Sequence, residues 1–368
     1  FVIQKSRGLY CYEYSSQERT PAACSAKLNQ KQLPLLCRQI AAMLTAGVSL
    51  SRALEVSAGS ARDKTLKAAL AGLRENIHKG RTLSEAMEEM KGVFPNLLIY
   101  MTRTGESSGR LDELLHKMAE YYGREEELNG KVRAAMTYPV ILFSITVMAA
   151  VFMLTMVLPR FASMLQEQEL PWITRMMMRL SFSLCSHGFL YIMLILILMA
   201  LFKGILKCPS VRLQADRAVL YTPIIGKLLR TVYTSRFASA FAVLYGSGIG
   251  ILDAMHTVGR VMGNSYVEKG LAQAAERLKG GVMLSQALEE QDLFQPVLIS
   301  MVAAGEESGA LDMVLEDAGS FYEKEAARAV NQMIALLEPA MILILALVVG
   351  SVVMAIMMPV FNMYSSML

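Results

Sequence analysis

At 368 residues the chain is long enough for two or three domains, yet 54% of it is hydrophobic and only 18% is charged. With a mean hydropathy of +0.38, that balance excludes an ordinary soluble enzyme and puts part of the chain in a bilayer. The formal net charge of +4 comes without a dense basic block. It suits anionic lipid headgroups better than nucleic acid, for which there is no groove-reading motif or aromatic platform.

Residues 1–30 form a lead-in segment, in which GLYCYEY is either a short strand or an ordered approach to the first domain. The first seven residues have no apolar core ahead of a small-residue cleavage site, so no signal peptide is expected. Cys11, Cys24, Cys37, Cys185 and Cys208 contain no C-x-x-C pair, and they are expected as free thiols rather than a disulfide frame or zinc site.

Residues 31–137 read as a helical body. Leu36, Ile40, Met43 and Leu44 step at helix spacing up to Gly47, and Leu66, Leu70, Leu73 and Ile77 make a second stripe ending near Gly80. Thr82 with Glu85 three residues later is a capping-box pattern. Residues 138–158 then run without a charge for long enough to cross about 30 Å of hydrocarbon at about 1.5 Å per residue. A second apolar run spans 182–202 and a third 337–358, with a short extracytoplasmic loop at 159–181 between the first two. Met176 to Met178 beside Trp172 suggest that this loop lies along the membrane interface. A linker, 203–232, leads to a second helical body, 233–336, and 359–368 form a tail.

Three spans place the two ends of the chain on opposite sides. Lys131, Arg133, Lys203, Lys207, Arg212, Arg217, Lys324 and Arg328 flank the spans on one side, against Arg160, Arg175 and Arg179 on the other. The positive-inside rule therefore puts both bodies and the N-terminus in the cytoplasm, and the loop and tail outside.

The halves repeat. RQIAAMLTAG at 38–47 lies opposite SAFAVLYGSG at 239–248, and KGRTLSEAM at 79–87 opposite GGVMLSQAL at 280–288, both at an offset of 201. From Phe94 and Phe294 onward the offset is 200. It brings GESSGRLD (105–112) opposite GEESGALD (305–312), Pro139 opposite Pro339 at the heads of two spans, and Pro159 opposite Pro359 at their ends. Two copies of a body plus one span would land on opposite faces; the middle span returns the second copy to the face of the first.

In the repeated turn, Gly105 and Gly305 follow apolar stretches and are expected to close a helix in the left-handed conformation. Ser108 and Ser308, followed by Gly109 and Gly309 and just before Leu111 and Leu311, are placed to cap the helix that opens there. Asp112 and Asp312 fall in that helix's first turn, where the dipole favours a carboxylate. Glu106 and Glu306 are either solvated or paired with a basic side chain of the opposite bundle or of a partner protein. Glu338, opposite Tyr138, is an interfacial carboxylate at the head of the third span. His78, His116, His187 and His256 are scattered without metal-binding spacing, and no G-x-x-x-x-G-K-[ST] nucleotide loop occurs.

The pattern R-Q-x-A-x-x-L-x-A-G-V-x-L at 38–50, the twice-written G-E-x-S-G-x-L-D, the paired prolines and the three spans resemble the type II secretion system protein F family over residues 31–361. Ser239 in place of Arg38 and Met283 in place of Thr82 depart from strict duplication. The resemblance implies an all-α integral membrane protein with two homologous cytoplasmic helical bundles of about six helices each. It further implies a non-enzymatic, oligomeric platform without cofactor, in the inner or cytoplasmic membrane. Its partners would be a hexameric secretion or pilus ATPase on the cytoplasmic side, prepilin-like subunits, other inner-membrane machine components and membrane lipid. Two rivals are weaker. A small-molecule transporter lacks the charged or broken mid-depth helices, and an intramembrane enzyme has only Ser144, Thr146 and Thr155 in the first span to work with.

Overall fold

The computed structural model describes residues 28, 31–157, 159–160, 172–205, 209–223 and 225–367. Every regular element among them is helical. In chain order these are α1 (Leu33–Thr45), α2 (Leu50–Ser60), α3 (Lys64–His78), α4 (Leu83–Glu89), α5 (Asn96–Ser108), α6 (Leu111–Phe152), a π-helical turn (Met153–Val157), α7 (Trp172–Ile205) and α8 (Pro209–Leu220). They are followed by α9 (Ile225–Tyr245), α10 (Ile251–Val261), α11 (Ser265–Lys279), α12 (Leu284–Glu289), α13 (Pro296–Ser308) and α14 (Leu311–Met367). The order α1 to α6 thus returns as α9 to α14. The GLYCYEY stretch lies outside the described residues.

Two compact units result, Phe1–His116 and Lys117–Leu368. In the first, the apolar stripe read from the sequence becomes a core in which Leu33, Ile40, Leu54, Leu70, Leu73 and Leu97 are at most 1% exposed. Cys37 is buried with them, and that burial pushes its thiol up to about 12. The capping box forms as expected: the Thr82 hydroxyl accepts the Glu85 N–H while the Glu85 carboxylate accepts the Thr82 N–H.

The second unit is built on α9 and α14. Phe237 and Phe241 are fully buried, and the Phe237 ring lies 4.5 Å from that of Phe294. The helices approach closely because Gly319 has no side chain; a Cβ there would sit 3.1 Å from the Ser239 hydroxyl oxygen. Arg236 and Glu125 bring α9 and α6 together at 3.7 Å.

Several sequence boundaries are redrawn. The helix α7 starts at Trp172, inside what reads as a loop, and runs through the second apolar stretch with a kink at His187 (φ −123°, ψ 17°). The stretch 203–232, read as linker, holds α8 and the first turns of α9, so the second body's first helix begins earlier than its counterpart α1. The helix α14 continues past Pro359 to Met367. Among the described residues two helices are long and apolar enough to cross a membrane, in the stretches Leu111–Val157 and Leu311–Ala355, whereas α7 contributes the shorter apolar segment Phe189–Met199.

Candidate functional site

The twice-written turn is a joint between helices, with a division of labour the sequence did not disclose. Neither Gly105 nor Gly305 ends a helix, because α5 and α13 run through them to Ser108 and Ser308. The left-handed residues are Gly109 (φ 70°) and Gly309 (φ 69°), whose N–H groups return to the carbonyls of Gly105 and Gly305. The following residue closes on the same carbonyl, Arg110 N–H at 3.0 Å and Ala310 N–H at 3.1 Å. This is how a helix ends when its last carbonyls need donors.

Gly105 and Gly305 are glycines for a different reason. A Cβ on Gly105 would lie 2.9 Å from the Cα of Leu111, and one on Gly305 would lie 3.1 Å from the Cα of Leu311. The next helix starts directly against them, so that a methyl forces a shift at Gly105 and crowds its neighbours at Gly305. The serines also correct the sequence reading. The Ser108 hydroxyl donates back to the Thr104 carbonyl at 2.8 Å and that of Ser308 to the Ala304 carbonyl at 2.7 Å; each finishes its own helix rather than capping the next.

Glu106 and Glu306 reach across to a neighbouring helix of their own body. The Glu106 carboxylate accepts from the N–H groups of Leu83 and Ser84 and from the Ser84 hydroxyl, the last two at 3.1 and 2.6 Å. Glu306 accepts from the N–H groups of Leu284 and Ser285 at 2.6 and 2.9 Å. Both carboxylates therefore sit on N–H groups that the helix itself leaves unbonded at the start of α4 and α12, where the helix dipole favours a negative charge. The second copy depends on this more. Met283 at the start of α12 makes no side-chain cap, so Glu306 is the side chain that satisfies those donors.

Asp112 and Asp312 lie in the first turns of α6 and α14 as expected. Asp112 also accepts from the Thr45 hydroxyl at 3.1 Å, tying the end of α1 to the joint. Gly246 occupies the Thr45 position of the second copy, and its carbonyl accepts from the Lys117 ammonium at 3.1 Å. Leu311 is buried, at 5% exposure, while Leu111 is half-buried.

At the heads of the apolar runs, Pro139 and Pro339 are accommodated inside α6 and α14, with Tyr138 and Glu338 exposed beside them. The far end of the first run is more irregular. Pro159 has no N–H, so it cannot give the Leu154 carbonyl, five residues back, the donor that a π-helical bond would use. The buried Ser181 hydroxyl, from α7, donates to that carbonyl. No sequence signal marked Ser181, because the need arises only when two helices meet. Of Pro359 only the helical backbone is described.

No cluster of three or more histidine, cysteine, aspartate or glutamate side chains placed for a metal occurs among the described residues. What the geometry presents is a pair of braced joints, each leading directly into a long apolar helix.

Residues 36–159 and 237–359 match the family described as Type II secretion system (T2SS), protein F. The chain is 35% identical over 340 residues to the Type IV pilus assembly protein PilC of Thermus thermophilus, which covers 92% of this chain and 84% of that protein. It is 32% identical over 342 residues to the Type II secretion system protein F of Vibrio cholerae, at 92% and 84% coverage. A Type 4 fimbrial assembly protein PilC of Pseudomonas putida is 35% identical over 331 residues, 89% of this chain and 82% of that protein. The two matched stretches follow the two copies of the repeat, each taking in a body and its apolar helix, and the chain belongs to the type II secretion system protein F family.

Proposed function

We propose that the chain is the membrane platform of a type II secretion or type IV pilus-type machine, a coupling role rather than a catalytic one. The observation that carries this reading is continuity. In each copy the helix that starts at the braced joint, α6 or α14, runs without interruption into the apolar stretch. A displacement of the body is then transmitted along a single stiff helix into the bilayer.

In this reading α7 also crosses the membrane through residues 182–202, which sets both bodies in the cytoplasm and the C-terminal end outside. A hexameric secretion or pilus ATPase engages the bodies, singly or on a homo-oligomer, and supplies the free energy. The platform passes the motion to prepilin-like subunits, which leave the bilayer and join the base of a fibre. The joints at Gly105 to Asp112 and Gly305 to Asp312 keep each body rigid enough to act as a lever. Membrane-helix repeats also occur in transporters, but among the described residues no broken helix pair at mid-depth supports that reading.

Crosslinking the tagged full chain in native membranes, followed by mass spectrometry of what is captured, tests the proposal. Recovery of a secretion-type ATPase with prepilin-like subunits is the expected result. Capture of neither, with crosslinks confined to self-association or a soluble binding protein, would exclude it.

A further inference from the structure

The second body carries an arginine–tyrosine cluster without a counterpart among the described residues of the first. Arg217, on α8, lies over two aromatic rings, 5.8 Å from the centroid of Tyr221 and 5.6 Å from that of Tyr266. Arg230, on α9, lies 5.2 Å from the Tyr221 centroid and meets the Asp292 carboxylate through two N–H contacts at 3.2 and 3.3 Å. Tyr221 is 51% exposed, and Arg217 and Lys227 are exposed beside it. Among the described residues no carboxylate or carbonyl pairs with the Arg217 guanidinium. Two rings therefore hold a cation in place while its five N–H donors stay uncommitted.

The backbone bears a cost to keep the cluster. Asp292 has φ 47°, and its repeat counterpart Gly92 has φ 81°. Glycine enters this region freely, whereas aspartate enters it at a cost, though a smaller one than most other residues. The second copy accepts that strain and gains the carboxylate that fixes Arg230.

The register of α9 on α14 sets the height of the cluster. Gly246 and Asp312 line one cleft, Ser239 lies against Gly319, and Val232 and Val330 line the next groove. The helices are antiparallel, so going back along α9 leads toward Pro339 and the membrane. Arg230 is thus about nine residues short of Pro339, or about 13 Å at about 1.5 Å per residue. α8 meets the start of α9, where a Cβ on Gly226 would fall on the Leu220 carbonyl. Tyr221 is therefore higher still, within about 10 Å of the apolar boundary. A tyrosine at that level, with Val211 and Val219 also exposed, fits the interfacial zone, where ring and hydroxyl are both accommodated. Arg212, Arg217, Lys227 and Arg230 outnumber Asp216 and Asp292 there, which suits a negatively charged surface.

We propose that this cluster seats the phosphate of an anionic phospholipid headgroup, with Arg217 and Lys227 as the charged contacts and Tyr221 as the interfacial anchor. The lipid would pin the second body to the bilayer face beside α14. The proposal rests on the reading that α14 enters the membrane near Pro339, but not on the identity of the ATPase or of the fibre.

The full chain in nanodiscs of phosphatidylcholine, with or without phosphatidylglycerol, provides the test, read by amide hydrogen exchange across residues 209–223. Phosphatidylglycerol is expected to slow exchange there about fivefold, the factor that goes with one basic side chain at an anionic surface. Arg217→Gln should abolish the slowing while exchange in α13 stays unchanged, which shows that the body is still folded. Equal exchange in the two lipids would overturn the proposal, as would retained slowing in Arg217→Gln. Inorganic phosphate slowing exchange equally in pure phosphatidylcholine would also overturn it, because the site would then take a free anion. Slowing seen only on addition of a glutamate-rich peptide would assign the cluster to a protein partner instead. Protection of residues 340–352 in every disc reports separately on insertion of α14; its absence would remove the membrane reading itself.

Discussion

Gly105 and Gly109 are four residues apart and are glycines for unrelated reasons, which substitution can separate. At Gly109 the demand is the left-handed backbone, which asparagine also tolerates; at Gly105 it is the space in front of Leu111. Gly109→Asn is expected to lower stability by less than about 1 kcal/mol, while Gly105→Ala, which forces a methyl onto a backbone atom, should cost about 1–3 kcal/mol. Thermal unfolding of the two variants in the same detergent checks the order. The capping carboxylates make a second pair. Glu306→Gln should speed amide exchange at Leu284 and Ser285 more than Glu106→Gln does at Leu83 and Ser84, because α4 keeps its Thr82–Glu85 box and α12 has none. Equal effects in the two copies would show that Glu306 is not the principal cap. Cys37 gives a pH test. Its thiol ionises at about 12 in the fold but near its ordinary value when unfolded. The buried neutral thiol's contribution to stability is therefore full below about pH 8.5 and is lost as pH rises toward 12. Cys37→Ala should flatten that alkaline decline in a series of unfolding midpoints.

At the scale of elements, Ser181 ties two apolar helices where a proline has withdrawn a backbone donor. Removing the hydroxyl withdraws a donor from the half-buried Leu154 residue's carbonyl, a loss of about 0.5–1.5 kcal/mol. Ser181→Ala should lower the unfolding temperature in detergent. Ser144→Ala should not, since the exposed Ser144 hydroxyl only returns to the Val140 carbonyl of its own helix. The turns show how far local signals carry. The capping box, the acidic first turn of α6 and the apolar stripes were legible because each depends on residues within four positions of one another. The roles of Gly105 and Glu106 were misassigned or left open because each is set by what the chain brings back from elsewhere: Leu111 across a joint, or the free N–H groups of a helix more than twenty residues earlier. Ser108 was misassigned although its partner, the Thr104 carbonyl, is only four residues back, because a serine between two helices has the choice of finishing one or capping the other.

For the whole molecule, the decisive question is the middle helix. If α7 crosses, both bodies share a face; if it does not, one crossing separates them. Cysteines introduced as Ser107→Cys and Glu307→Cys, at exposed positions of the two joints, should be labelled by a membrane-impermeant maleimide from the same side of sealed vesicles. Labelling from opposite sides would remove α7 as a span and with it the shared cytoplasmic face. By itself the sequence determined the helical class, the duplication and the two long apolar helices, since composition, periodicity and a fixed offset are properties of the chain read in order. Only the tertiary structure decided that α7 and α14 extend beyond their apolar stretches, that the turn's glutamates cap helices within their own bodies, and that Arg217, Tyr221, Tyr266 and Asp292 come together. These outcomes turn on which unsatisfied donors, close approaches and uncommitted charges meet in space, and sequence distance carries no record of that.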